Sequence, residues 1–453
     1  MTVSNLTKGL FAVSFIPVTL LSACGTATRD TGEPQAMTSQ IAAFDCKAES
    51  DWFPQNQTPK PPFDDFKGNS NCAFHQWSWQ AFLWLTQSVD GEPRFLSFES
   101  PAALYGDSDL GSGILPRMTK SSRPELVDEF LQAGTDGILT DQNGRSVYYS
   151  QYLDSTFAQF VTEHDLTDPT KLASFNPDTP FPNGAMELKA SWKIVQPNED
   201  TSRFFTMPAT VTLLANRSGK IVIDPEKTEE VTLALVGLHI AGRVEGHPEM
   251  IWATFEHDEN APNVPADATA ETVVSKEDWT FYEAGTTFGE CNRNPSNSAS
   301  RKLDERTQTL TPVTQVCRLF EFGNDPNDAV NDRKSIAKND SNIHDLNLQV
   351  KQQLRTESSV WSNYFEVGAI WFLKGNDFKA NESLADDDFL TGSLKLSNAT
   401  IETFTQTQST MNNCFRCHNT NQRFPPEVTM TPLPGLEVDI SHILVNGYFR
   451  SQQ

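Results

Sequence analysis

The chain has 453 residues, 38% of them hydrophobic and 10% aromatic, which is enough apolar mass for two or three domains or one elaborated body and excludes a disordered chain. Its 59 acidic and 35 basic side chains give a formal charge of -24, a field that repels nucleic acid and anionic membrane surfaces. Small neutral or cationic molecules, or proteins with basic faces, remain as partners.

Lys8 precedes an apolar run from Leu10 to Leu21, the length of an export-signal core and too short for a stable membrane span. Leu21-Ser22-Ala23-Cys24 at its end resembles a bacterial lipobox. The resemblance implies cleavage of residues 1–23, lipidation of Cys24 and attachment to the membrane through that lipid alone. Gly25 after the cysteine, where inner-membrane lipoproteins carry Asp, points to the outer membrane, facing the periplasm. Loss of Lys8 with the signal brings the charge to -25. Residues 24–40 are small, polar and aperiodic, and read as a flexible tether.

Phe74, Trp77, Phe82 and Leu85, with Trp84 beside them, recur near helical spacing and predict an aromatic-rich helix from Ala73. Its tryptophans read as core packing rather than as an electron path. A short helix is expected over Pro124 to Ala133, then a hairpin whose arms flank Asn143-Gly144, then a helix from Gln151 to His164 and a loop from Asp165 to Gly184. Alternation over Met186 to Ile194, Ala209 to Leu214, Lys220 to Ile223, Val231 to Ile240 and Met250 to Phe255 predicts an antiparallel sheet, with a turn at Asn216 to Gly219 and a charged turn at Asp224 to Glu230.

The stretch from Gly237 to His257 holds three of the eight histidines. If His239, His247 and His257 converge with Glu256 or Asp258 across a hairpin, they could bind a metal or act as acid and base; otherwise they hydrogen-bond a hairpin and its turn. Asp325 to Asn342 is charged and turn-like and is taken as a domain boundary, dividing a 41–340 mixed body from a 341–453 C-terminal region. Ser358 to Leu373 reads as a strand pair or a buried helix, and Asn398 to Asn413 as a helix.

That last helix would deliver Cys414-Phe415-Arg416-Cys417-His418. Two cysteines two residues apart, with a histidine next, put both sulfurs within one helical turn and the imidazole beside them, the spacing of covalent haem attachment. A CxxC can also be a redox disulfide or half a zinc site, but no second CxxC or HxxxH completes a zinc finger. The motif resembles c-type cytochromes, and with the Gly237–His257 stretch and the lipobox it is similar to bacterial cytochrome c lipoproteins of undefined activity. The resemblance implies one haem c per chain, thioethers through Cys414 and Cys417, and His418 as proximal ligand. Only 35 residues follow His418, with Pro425, Pro426, Pro432 and Pro434 among them, so no full helical cytochrome domain follows the motif. Met430 is the favoured sixth ligand, with His442, a body histidine or an open site as alternatives.

With Cys24 assigned to lipid and two cysteines to haem, Cys46, Cys72, Cys291 and Cys317 remain, an even set for an oxidising compartment. Of three connectivities, Cys46 to Cys72 and Cys291 to Cys317 are the simplest. The expected fold is α+β, a β-rich body with flanking helices and a C-terminal helical haem-binding segment. The expected function is electron transfer with a redox partner protein. A haem-dependent oxidoreductase with a small-molecule substrate and a redox or gas sensor are the alternatives.

Overall fold

Alternation of apolar and polar residues folds the middle of the chain into one eight-stranded sheet, in a computed structural model that describes residues 44–53, 70–106, 125–127, 129–133, 135, 137–294, 301–325, 327, 333–382, 389–407, 413–425 and 429–452. The expected signal, Cys24 and the expected tether lie outside these residues. The sheet comprises β1 (Glu125–Val127), β2 (Tyr148–Leu153), β3 (Met186–Ile194), β4 (Thr206–Arg217), β5 (Lys220–Val244), β6 (His247–His257), β7 (Tyr364–Phe372) and β8 (Leu390–Gly392). Its central order is β8-β7-β6-β5-β3-β2, all antiparallel, with β4 beside the N-terminal half of β5 and β1 parallel to β4. The α+β class is as expected.

Helix α1 (Asn71–Thr86) forms where the aromatic periodicity places it, capped by the Ser70 hydroxyl, which accepts the Ala73 amide. It is buried on most sides because α3 (Arg333–Thr356) packs over it while Phe74 stacks on Trp371 at 4.1 Å and Phe82 on Phe255 at 4.3 Å. Trp77 and Trp79 are core residues of this layer. Period-2 alternation splits the sheet: Leu188, Leu238, Ile240 and Phe255 face α1, whereas Leu153, Ala241, Trp252 and Ile370 face the C-terminal segment. Each face therefore has its own core.

The expected boundary near residue 340 does not divide the fold. Phe44–Gln453 packs as one compact unit, and β7, from the C-terminal side of that boundary, pairs with β6 inside the sheet. Ser358 to Leu373 contributes one strand after a 3-10 turn, neither a strand pair nor a helix.

Other differences are local. Glu125–Val127 is extended and pairs with Ala209–Val211, so sheet pairing overrides the expected helix over 124–133. Gln151 to Leu153 stay in β2, and α2 (Ser155–Glu163) starts only after Asp154, whose carboxylate accepts the Thr156 and Phe157 amides at 3.0 Å. The loop from Asp165 to Gly184 includes a short helix, Pro169–Ala173. The two strands expected on either side of Asp224 to Glu230 are one strand, β5. Asp224 pairs with Leu213 and Thr228 with the adjacent Thr212, so the intervening Pro225, Glu226 and Lys227 bulge out where a turn was expected. Over Asn398 to Asn413 only Thr403–Thr405 is helical within the described part. The buried Asn398 side chain donates to Thr254 Oγ1 and the Phe255 carbonyl and accepts from Thr400, competing with a helix start.

Candidate functional site

The CxxCH motif forms its own single turn of helix, α4 (Cys414–Cys417). The Asn413 side chain caps it by accepting the Arg416 amide at 3.2 Å, and the His418 amide donates to the Cys414 carbonyl at 2.8 Å. Phe415 anchors the turn from within: it is fully buried, 5.0 Å from Phe372 and 6.4 Å from Trp252, on the sheet face opposite α1. Both flanking thiols stay half-buried and free, whereas Cys46 with Cys72 and Cys291 with Cys317 sit at disulfide distance, Cα atoms 5.6 Å apart in each pair. The simplest pairing is the one adopted.

His418 is oriented from several sides. Its Nδ1 donates to the Ile440 carbonyl at 2.8 Å, because a carbonyl can only accept, and this leaves the Nε2 lone pair available. Nothing among the described residues hydrogen-bonds Nε2. The ring lies 4.2 Å from Trp252 and stacks on His442 at 4.0 Å, 14° from parallel. His442 opens α5 (His442–Arg450) and donates from Nε2 to the Cys417 carbonyl at 3.0 Å. Burial drives the His418 pKa well below its ordinary value, with His442 and Arg423 adding to it, and takes His442 down to about 4. Both rings are neutral at neutral pH, the state a metal ligand needs.

Burial also raises both thiols, Cys414 well above its ordinary value, and the Glu402 carboxylate adds to each shift. A redox CxxC works through a depressed, exposed thiolate, so these sulfurs are poor nucleophiles of that kind. Arg423 fastens the loop after the motif, its Nη2 donating to the carbonyls of Asn419 at 2.6 Å and Cys417 at 3.2 Å. Behind it, burial raises Glu187 and Asp439 each to about 7.

The histidines of the Gly237–His257 stretch do not converge. Across the β5–β6 hairpin His239 lies opposite Thr254, while His247 sits at the turn opposite Val244, five residues and roughly 17 Å further along the strand. His247 bonds Glu249 at 2.8 Å on the α1 side, 4.9 Å from Phe74. His257 donates to the Arg203 carbonyl at 3.0 Å and stacks on Phe204 at 3.8 Å. Glu256 is fully buried, bonded to Arg318 at 2.5 Å and to the Ala399 amide at 2.7 Å; Asp258 pairs with Lys351 at 2.5 Å. Among the described residues no three His, Cys, Asp or Glu side chains are grouped to hold a metal. A shared site over His239, His247, Glu256 and His257 is therefore absent from this arrangement, since each group already has its own partner.

His239 does have a counterpart on the motif side of the sheet. Its Nε2 lies 2.6 Å from Glu402 Oε1, the two side chains are 17% and 21% exposed, and Glu402 Oε2 accepts the Asn398 amide at 2.9 Å. Electrostatically, Glu402 reaches both motif thiols and His239 reaches His418. No local sequence signal marks Glu402, which meets its histidine across 163 positions. Trp252 and Arg423 likewise become site residues only through packing. Met430 is buried, and the amide of Thr431 after it donates to Gln452 Oε1 at 2.7 Å.

No protein-family model, curated protein or solved structure matches this chain.

Proposed function

We propose that this chain is a c-type cytochrome with one covalently attached haem, made as a periplasm-facing outer-membrane lipoprotein and acting in electron transfer. One observation carries the reading: two unpaired sulfurs at the ends of a single helical turn, beside an imidazole with Nδ1 engaged and Nε2 free, while the other four described cysteines pair. That donor set fits haem. Cys414 and Cys417 would form the thioethers and His418 would ligate iron, its ring set by the Ile440 carbonyl and stiffened by Trp252 and His442. A haem so held supplies one-electron transfer. His442, stacked face to face with His418 and bonded to the Cys417 carbonyl, buttresses that ring. Met430 is the proposed sixth ligand. The lipid anchor rests on the Leu21–Cys24 sequence, and no helix among the described residues is long and apolar enough to cross a membrane.

The test is the reduced absorption spectrum with and without carbon monoxide, on protein exported with its own N-terminal segment. Electron transfer predicts no change with carbon monoxide, and a sulfur-to-iron band near the red end of the oxidised spectrum that disappears in Met430→Ala. Rapid carbon monoxide binding by the wild type would exclude a filled sixth position.

The His239–Glu402 pair favours a second reading, an oxidoreductase in which a carboxylate-oriented imidazole moves a proton beside the redox centre. Should the haem-loaded protein turn over peroxide, His239→Gln is expected to slow it about a hundredfold, as loss of a general acid or base does, with an unchanged reduced spectrum. Equal turnover in the variant would remove His239 from the chemistry.

A further inference from the structure

The outer stripe of α3 supplies a feature that the haem reading does not use. Ile343, Leu346, Val350 and Leu354 turn one side of this helix into the core, whereas His344, Leu348, Lys351 and Arg355, spaced four, three and four apart, line a surface cavity of about 310 Å³. That volume lies within the usual range for small-ligand sites. Its other walls come from the ends of β6 and β7 and the loop carrying Arg318, and Phe365 and the 49%-exposed Leu348 give it apolar surface.

The charges of this cavity are not balanced internally. Asp258 is taken up by Lys351 at 2.5 Å and by Arg203 at 3.7 Å, and Arg318 by Glu256 at 2.5 Å and Asn263 at 2.6 Å. Arg355 is exposed, and no described residue pairs with it. It stands one helical turn beyond Lys351, a like-charge spacing that costs stability unless an anion lies between. Burial lowers the Lys351 pKa, and Arg355 and Arg203 push it the same way against the pull of Asp258. Glu321, which is exposed, is the only lining carboxylate besides Asp258 among the described residues. In a chain of net charge -24 the lining sets Arg318, Lys351 and Arg355 against Asp258 and Glu321, a local balance of +1 beside an apolar wall, with Arg355 its unpaired cation.

We propose that the recess binds a small organic anion, a carboxylate carried on an aromatic or aliphatic body, with Arg355 and the free donors of Lys351 on the carboxylate and Phe365 and Leu348 against the body. A cation is disfavoured, because the one carboxylate deep enough to meet it is already shared by two cations. The site requires no haem and stands or falls apart from that assignment.

Isothermal titration of the full chain with benzoate, decanoate and the neutral benzyl alcohol, at constant ionic strength, tests it. Benzoate and decanoate should bind saturably, benzyl alcohol about tenfold more weakly, and Arg355→Gln should weaken the carboxylates about tenfold, the worth of one charge-assisted contact. Arg355 is exposed and its like-charge neighbour Lys351 gains from its removal, so the unfolding midpoint of the variant should be no lower than that of the wild type, which rules out misfolding. No saturable binding up to about 10 mM carboxylate, a weaker limit than any specific site, would overturn the proposal. So would equal affinity in Arg355→Gln, or benzyl alcohol binding as tightly as benzoate.

Discussion

Cys417→Ser is expected to remove most covalent haem from the exported protein, seen as loss of haem staining on a denaturing gel. The thioether needs a sulfur at each end of α4, and Cys417 is one of two unpaired cysteines among the described residues. Serine has nearly the same shape, so the Phe415 anchor and the Asn413 cap should survive and the chain should still fold. Cys291→Ser is the control. It breaks a pair closing a loop of 26 residues and should cost about 3 kcal/mol of stability on the chain-entropy account, while haem staining persists. The two variants thus separate a lost attachment site from a weakened fold. Full staining in Cys417→Ser, or equal loss in both, would mean that the motif does not carry haem.

The single turn at Cys414–Cys417, with His418 after it, could be read from sequence because its spacing is packed into five consecutive residues. The same holds for the sheet, where alternation over Met186 to Ile194 and Met250 to Phe255 marks strands, although both of their faces are buried, each against its own core. Other parts depended on long-range partners. Asp224 to Glu230 is charged because the outer half of β5 faces solvent, with Asp224 held by Lys227 at 3.0 Å and Arg217 at 3.4 Å, and such a run resembles a turn in local composition. The turn expected at Asn216 to Gly219 does form, at Ser218-Gly219, both residues at positive φ. Asn398 looked like the first residue of a helix, yet its amide is spent on β6. His239, His247 and His257 crowd one stretch of sequence, but a strand extends them along its length and the alternation sends His247 to the opposite face from His239. The residue that does join His239, Glu402, could not be found without the fold.

The same dependence on distant partners makes His75 the most consequential side chain away from the motif. It is fully buried in α1 between two acceptors: Nδ1 is 2.8 Å from Glu366 Oε1 on β7, and Nε2 is 2.9 Å from Asn339 Oδ1 on α3. Asn339 must present its oxygen, since its Nδ2 donates to Ser393 Oγ and its Oδ1 also accepts from Asn71. Both ring nitrogens of His75 are therefore donors, and the imidazolium ties both helices to the sheet. Burial by itself lowers this pKa, but the charge and hydrogen bond of Glu366, with Asn339 and Asp340, outweigh it and leave it raised.

A pKa raised on folding means that the folded state holds the proton more tightly. The contribution is then complete below the unfolded value, about 6.5, and is lost as pH rises through the higher folded value. His75→Ala should cost about 3–5 kcal/mol at pH 6, the scale for breaking a buried pair by removing one partner. The deficit should shrink toward pH 9 as the wild type gives up the same proton. Glu187 and Asp439, each raised to about 7, also make stability fall with pH, but they do so in wild type and variant alike, so the difference between the two urea midpoints isolates His75. A deficit that stays constant from pH 6 to pH 9 would place a neutral imidazole between Glu366 and Asn339 and require the Asn339 amide to be turned the other way.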